Sequence, residues 1–324
     1  MISALVTIIS SVILLVIFSF KAEGMLIGIL LGQVACIIYL LFSLKIFKKI
    51  KLCYIEKKLK KELLNYSLPL IPNSISWWIF NSSDRLIVNF MLGLSSVGIL
   101  AASHKFSGLY ITVSNIFHLS WLESTSEHIN DKDFKDYFNK MFNIVIFLFV
   151  SISLSIIAVM PFVYNLLVDS KFEFGYNLVP IIMIGSIFNV VLAVETAIYV
   201  AKKNTKAIAN TASVSAIINI IIHICLINFI GLYASVISTA LAYLVLCVFR
   251  HHDINRKYIC IVFDNKKLLY SVILTIIVLS LYYIKLWYLN ILMLILVLIF
   301  DIIINGKYIK DIYEIILKRR RKEI

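Results

Sequence analysis

Residues 67–93 read SLPLIPNSISWWIFNSSDRLIVNFMLG. The run is long enough to cross a bilayer, yet it carries Asp84 and Arg85 side by side. A charge at the bilayer centre costs roughly 2.5–3.5 kcal/mol on insertion scales, so it needs a partner or water. The reading of this pair depends on what surrounds it.

Hydrophobic residues make up 61% of the chain and charged residues 15%, with a mean hydropathy of +0.95. That is far outside the range of soluble domains and marks an all-α polytopic membrane protein. A helix needs about 20 residues to cross a hydrocarbon core of about 30 Å. About ten runs meet that length, near 3–20, 25–44, 68–92, 96–122, 141–168, 176–200, 207–229, 232–250, 268–286 and 288–305. The first lacks the basic start and small-residue cleavage site of a signal peptide.

The net charge of +13 sits mainly in alternate connections. Residues 45–62 hold eight lysines and two glutamates, and AKKNTK, the segment from Arg250 to Lys267, and the C-terminal KRRRKEI follow on the same side. The positive-inside rule places these in the cytoplasm, together with both termini. The charge therefore reads as topogenic or lipid-facing, with no nucleic-acid partner. The opposite connections are short, which leaves no room for an external catalytic domain. No P-loop, HExxH or GxSxG motif is present, so the chain reads as no enzyme, with no catalytic residue, cofactor or metal site. The five cysteines have no ligand spacing, and His251, His252 and Asp253 read as a solvated loop.

On the third span Ser74, Trp78, Asn81, Arg85 and Asn89 fall on one helical face; on the fourth, Lys105, Gly108, Thr112 and Asn115 do the same, with His104 beside the lysine. Counting from the turn at Gly93 puts Arg85 and Lys105 at a similar depth, on the order of 10–14 Å below the surface. Two accounts remain open: Asp84 neutralises one of these cations in a structural ion pair, or the group lines a cavity with one positive charge left over. His223 reaches the same level on the seventh span. Glu195, near the inner end of the sixth, has Lys202 or Lys203 as a candidate partner. His223 and Glu195 are the candidates for ion or proton coupling, each with a structural alternative. Trp77, Trp78 and Tyr110 are candidates for sugar contact or for an interfacial belt. Pro69 and Pro72 suit the start of the third helix, whereas Pro161 and Pro180 fall inside predicted spans and predict kinks.

The run from Tyr66 through Asp84 and Arg85, continuing to Gly93, Val97, Gly98 and Phe117–Trp121, resembles the opening of the second lobe of Wzx-type polysaccharide flippases. These belong to the MATE-like multidrug/oligosaccharidyl-lipid/polysaccharide superfamily. The resemblance implies two six-helix lobes around a central cavity, often with two added helices. It implies a bacterial cytoplasmic membrane protein that moves undecaprenyl-diphosphate-linked oligosaccharide to the outer leaflet for O-antigen or capsule, driven by ions rather than ATP. Its partners would be that lipid, membrane lipids and polysaccharide assembly proteins such as the polymerase. Arg85 falls in the matching motif; Lys105 is placed by depth and spacing.

The implied layout is two helices of the first lobe at 1–44, a basic loop at 45–65, a six-helix lobe at 66–250, a loop at 251–267, two further helices at 268–305 and a basic tail at 306–324. About four spans of the first lobe would lie outside this sequence, and one lobe supplies half a cavity wall. A drug or metabolite exporter of the same fold is the nearer alternative. A non-transporting component of a glycan assembly complex is the more distant one.

Overall fold

The computed structural model describes residues 2–20, 22–45 and 57–320; the side chains of residues 2, 22, 80, 81 and 307–320 lie outside that description. The chain divides into two units, Met1–Leu63 and Leu64–Ile324. In the first, α1 (Ile2–Val16) packs against α2 (Ala22–Ser43). Small residues set the approach: a Cβ on Gly28 or Gly32 would run into Ser11 or Thr7. Close backbone contact of this kind is how helices associate when lipid supplies no hydrophobic drive. Next comes α3 (Lys57–Ser67), a short helix without buried residues, inside what the sequence predicts to be a loop. The rest of that loop, residues 46–56, lies outside the described residues.

The second unit holds α4 (Leu70–Leu92), α5 (Leu94–His128), α6 (Phe134–Leu167), α7 (Val179–Ala201), α8 (Thr205–Ile230) and α9 (Tyr233–Lys257). The pair α10 (Asn265–Ile284) and α11 (Trp287–Arg320) follows. Among the described residues, seven helices are long and apolar enough to cross a membrane, including α2 and α6–α11. Pro69 caps α4, where a missing amide costs little. Gly93 ends it at φ 85°, a conformation that favours glycine and lets α5 start at the next residue.

Several helices outrun the hydropathy boundaries. The polar stretch near 124–140 is mostly the ends of α5 and α6, and α9 continues through the predicted loop to Lys257. Charge ends a hydropathy run, but it does not end a helix. Pro180 lies within the apolar stretch Ser170–Ala201, but a 3-10 helix, Ser170–Leu178, precedes it, so it stands in the first turn of α7 and implies no kink there.

Helix α4 packs on α8, α8 on α9, α9 on α7, and α7 on α5 and α6; α10 and α11 pack on each other and on α6. An aromatic core fills the α5–α6–α7 side, with Trp121, Phe138 and Phe142 buried and Trp121 donating to the Val194 carbonyl at 3.2 Å. Tyr110 belongs here too, its hydroxyl donating to Phe149 O at 3.2 Å. It is 1% exposed, so it is a packing residue and not the sugar contact considered from sequence. Polar links tie α11 to α6: Ser155 donates to Asp301 at 2.8 Å and Asn305 to Ser151 at 2.6 Å. By contrast, Val214, Ile217, Ile221 and Ile224 stand exposed along one face of α8, an apolar surface suited to lipid.

The 3-10 helix closes against α5 through Gly175. A Cβ there would stand 2.5 Å from both Ser103 Oγ and Tyr164 Oη. Those hydroxyls already donate to the carbonyls of Gly175 and Phe172, at 3.1 and 2.9 Å, and have little room to yield. Gly175→Ala is therefore expected to destabilise the fold by about 1–3 kcal/mol, the usual cost of overpacking. Thermal unfolding in detergent checks it; an unchanged midpoint would contradict this packing.

Candidate functional site

Asp84 does not pair with Arg85 or Lys105. Its carboxylate is buried inside the lobe between α4, α8 and α9. His223 Nδ1 on α8 lies 3.0 Å from Oδ1, and Thr239 on α9 donates to Oδ2 at 2.7 Å. Asn219, one turn from His223, donates to Thr239 Oγ1 at 3.1 Å. These are contacts across 139 and 155 residues of sequence, so the charge inside the span is answered by distant helices.

One helical position further on, Arg85 is exposed. Ser74, Trp78 and Asn89 are exposed on the same face of α4, while the side chain of Asn81 lies outside the described residues. Helix α5 contributes Lys105, Gly108, Thr112 and Asn115, all exposed. Among the described residues no carboxylate comes within ion-pairing distance of Arg85 or Lys105. Each of the two cations would cost several kcal/mol against lipid.

Behind this face lies a cavity of about 300 Å³, lined by Asp84, Arg85, His104 and Ser107 on one side and by Ser186, Thr239 and Tyr243 on the other. Arg85 and His104 thus share a cavity; Lys105, which counting from Gly93 puts at the level of Arg85, is outside its lining, as are Trp78 and Asn89. A second cavity of about 440 Å³ continues away from the Gly93 end, between Asn73 and Trp77 of α4, Asn115 and His118 of α5, and Asn189 and Arg250. Ile111 and Tyr243 line both cavities and mark where they meet.

Glu195 lies in neither lining. It is fully buried, and its partner is His251 Nδ1 at 3.0 Å, not Lys202 or Lys203. The continuation of α9 past Arg250 is what brings His251 to α7. The adjacent Asp253 accepts from Tyr199 at 2.8 Å and pairs with Lys257 at 2.7 Å, so these residues are structured and not a solvated loop. Arg250, counted from sequence among the loop charges, is 1% exposed and donates to Thr211, Thr196 and Ile208 O. His251→Leu would leave the buried Glu195 Oε1 without its partner and is expected to cost about 1–3 kcal/mol. Adding Glu195→Leu should restore most of that loss in a thermal unfolding series, and failure to restore it would contradict the pairing.

Long apolar helices around a lobe with a polar interior define an all-α, multi-pass membrane protein. Residues 1–117 match the family described as polysaccharide biosynthesis protein, a segment that contains nearly all of the run from Tyr66 to Trp121. The fold matches the solved structure of the lipid II flippase MurJ in an inward closed conformation, with a TM-score of 0.66 and 21% sequence identity. The match covers 95% of this chain and 67% of that one. No match was found among curated proteins.

Proposed function

We propose that this chain supplies a lobe of a flippase for undecaprenyl-diphosphate-linked oligosaccharide repeat units in O-antigen or capsule synthesis. The carrying observation is the division of charge on α4. Asp84 is held inside the lobe by His223 and Thr239, so Arg85, with Lys105 on α5, is left to meet an anion on the polar face. A diphosphate is the anion that a lipid-linked sugar brings, and two cations on adjacent helices suit it. The family match over residues 1–117 supports a polysaccharide substrate over a drug, and the MurJ-like fold supports transport over catalysis.

In this reading the protein lies in the bacterial cytoplasmic membrane with both termini in the cytoplasm. Trp78 and Asn89 flank the head group along the same stripe, and assembly proteins such as the polymerase act on the flipped product. The Asp84–His223 pair, which joins α4 to α8, is the coupling element. Glu195, bonded to His251 away from both cavities, is a structural residue.

The test is expression in a strain lacking its polysaccharide flippase. Restored surface polysaccharide, lost again in Arg85→Ala, is the expected result. Full rescue by Arg85→Ala would remove that charge from the mechanism.

A further inference from the structure

The second cavity is chemically unlike the first. Its charged group is Arg250, whose guanidinium is 1% exposed yet has no carboxylate within ion-pairing distance among the described residues. Three bonds are made, to Thr196 Oγ1 at 2.7 Å, Thr211 Oγ1 at 3.0 Å and Ile208 O at 3.3 Å. A guanidinium has five N–H donors, so two remain. The buried Glu195 acts on it only through space and the Tyr199 ring centroid lies 6.0 Å from its Cζ, so the two free donors are open to an anion in the cavity.

The rest of the lining adds direction. Asn73, Asn115 and Asn189 project amides from three helices. Asn73 Oδ1 and His118 Nε2 are buried polar atoms with no partner. Trp77 and Tyr243, with ring centroids 6.0 Å apart, form an aromatic wall. Amides and ring faces are what a hydroxylated ring needs, and a volume of about 440 Å³ falls within the size range of small-molecule sites. Asn115 is exposed on the open face of α5, which makes it the rim.

We propose that this inner chamber is a binding site for a sugar ring bearing a carboxylate, with the carboxylate on Arg250 and the hydroxyls on the asparagines. The proposal rests on reading the chain as a carrier of sugar-bearing lipid. It adds that the carrier holds an acidic sugar of its substrate inside the lobe, apart from the diphosphate at Arg85.

The experiment is equilibrium dialysis of the purified full chain in detergent against radiolabelled D-glucuronate and D-glucose. Saturable glucuronate binding is expected, with glucose weaker by about tenfold or more, the ratio that one hydrogen-bonded charge supplies. Arg250→Gln should abolish the difference between the two sugars. Because that substitution disturbs three buried bonds, Asn115→Trp serves as the second variant; placed at the exposed rim, it should block both sugars while the unfolding temperature stays unchanged.

Equal affinity for glucose and glucuronate, no saturable binding of either, or wild-type binding by Asn115→Trp would overturn the proposal. So would acetate competing as well as glucuronate, since amides and rings would then contribute nothing. Flipping without glucuronate binding would remove this site and leave the transport reading intact. Glucuronate binding without flipping would do the reverse.

Discussion

Arg85→Ala is expected to weaken binding of a diphosphate-linked lipid by one to two orders of magnitude. A hydrogen bond to a charged group contributes about 1.5–3 kcal/mol, which corresponds to roughly 10- to 150-fold in affinity. Arg85 is exposed on the face of α4 and packs against no described carboxylate, so the substitution should leave the unfolding temperature nearly unchanged. This separation of function from stability distinguishes a cavity cation from a structural one. Arg85→Lys keeps the charge but loses the planar fork and should recover part of the affinity. Binding of undecaprenyl diphosphate to the purified chain measures it. A large drop in unfolding temperature with unchanged binding would assign Arg85 to the scaffold instead.

Asp84 carries the opposite expectation. Asp84→Ala would leave His223 and Thr239 without their shared acceptor in the lobe interior, at a cost of about 3–5 kcal/mol if the pair is ionised and about 1–3 kcal/mol if it is neutral. A double-mutant cycle decides which partner it has. Asp84→Asn combined with His223→Gln should show a coupling of about 0.5–3 kcal/mol, as residues in contact do. Asp84→Asn combined with Arg85→Gln should be additive. The reverse pattern would restore the local ion pair between sequence neighbours and remove the main support for a cavity cation at Arg85.

The helices and the faces they present are legible in the sequence. Long apolar runs mark the helices, and the spacing of Ser74, Trp78, Arg85 and Asn89 correctly predicts one shared face, because helical periodicity is local. The partner of Asp84 is not local. Its true neighbours, His223 and Thr239, stand on helices that begin more than a hundred residues later, and a count of depth on each span gave the one hint, for His223. Thr239 left no such sign, since threonine in a span is unremarkable. Arg250 and His251 were hidden for a different reason. They stand where hydropathy falls, and the fall reads as a loop, although α9 continues for two more turns and turns both side chains inward. Glu195 shows the same limit: the lysines nearest in sequence lie just past the end of its helix, while its partner comes from another.

Whether Arg85 faces water is read most directly by thiol accessibility. In a chain whose five native cysteines have been replaced, Arg85→Cys and Ile221→Cys are each exposed to a membrane-impermeant, water-borne maleimide in intact membranes. Both positions are exposed in the isolated lobe, but one stands on the polar face and the other on the apolar face of α8. The account predicts rapid labelling at position 85 and little at 221. Equal protection of the two would place Arg85 in lipid or in a closed protein contact, and would contradict a water-filled polar face on this lobe.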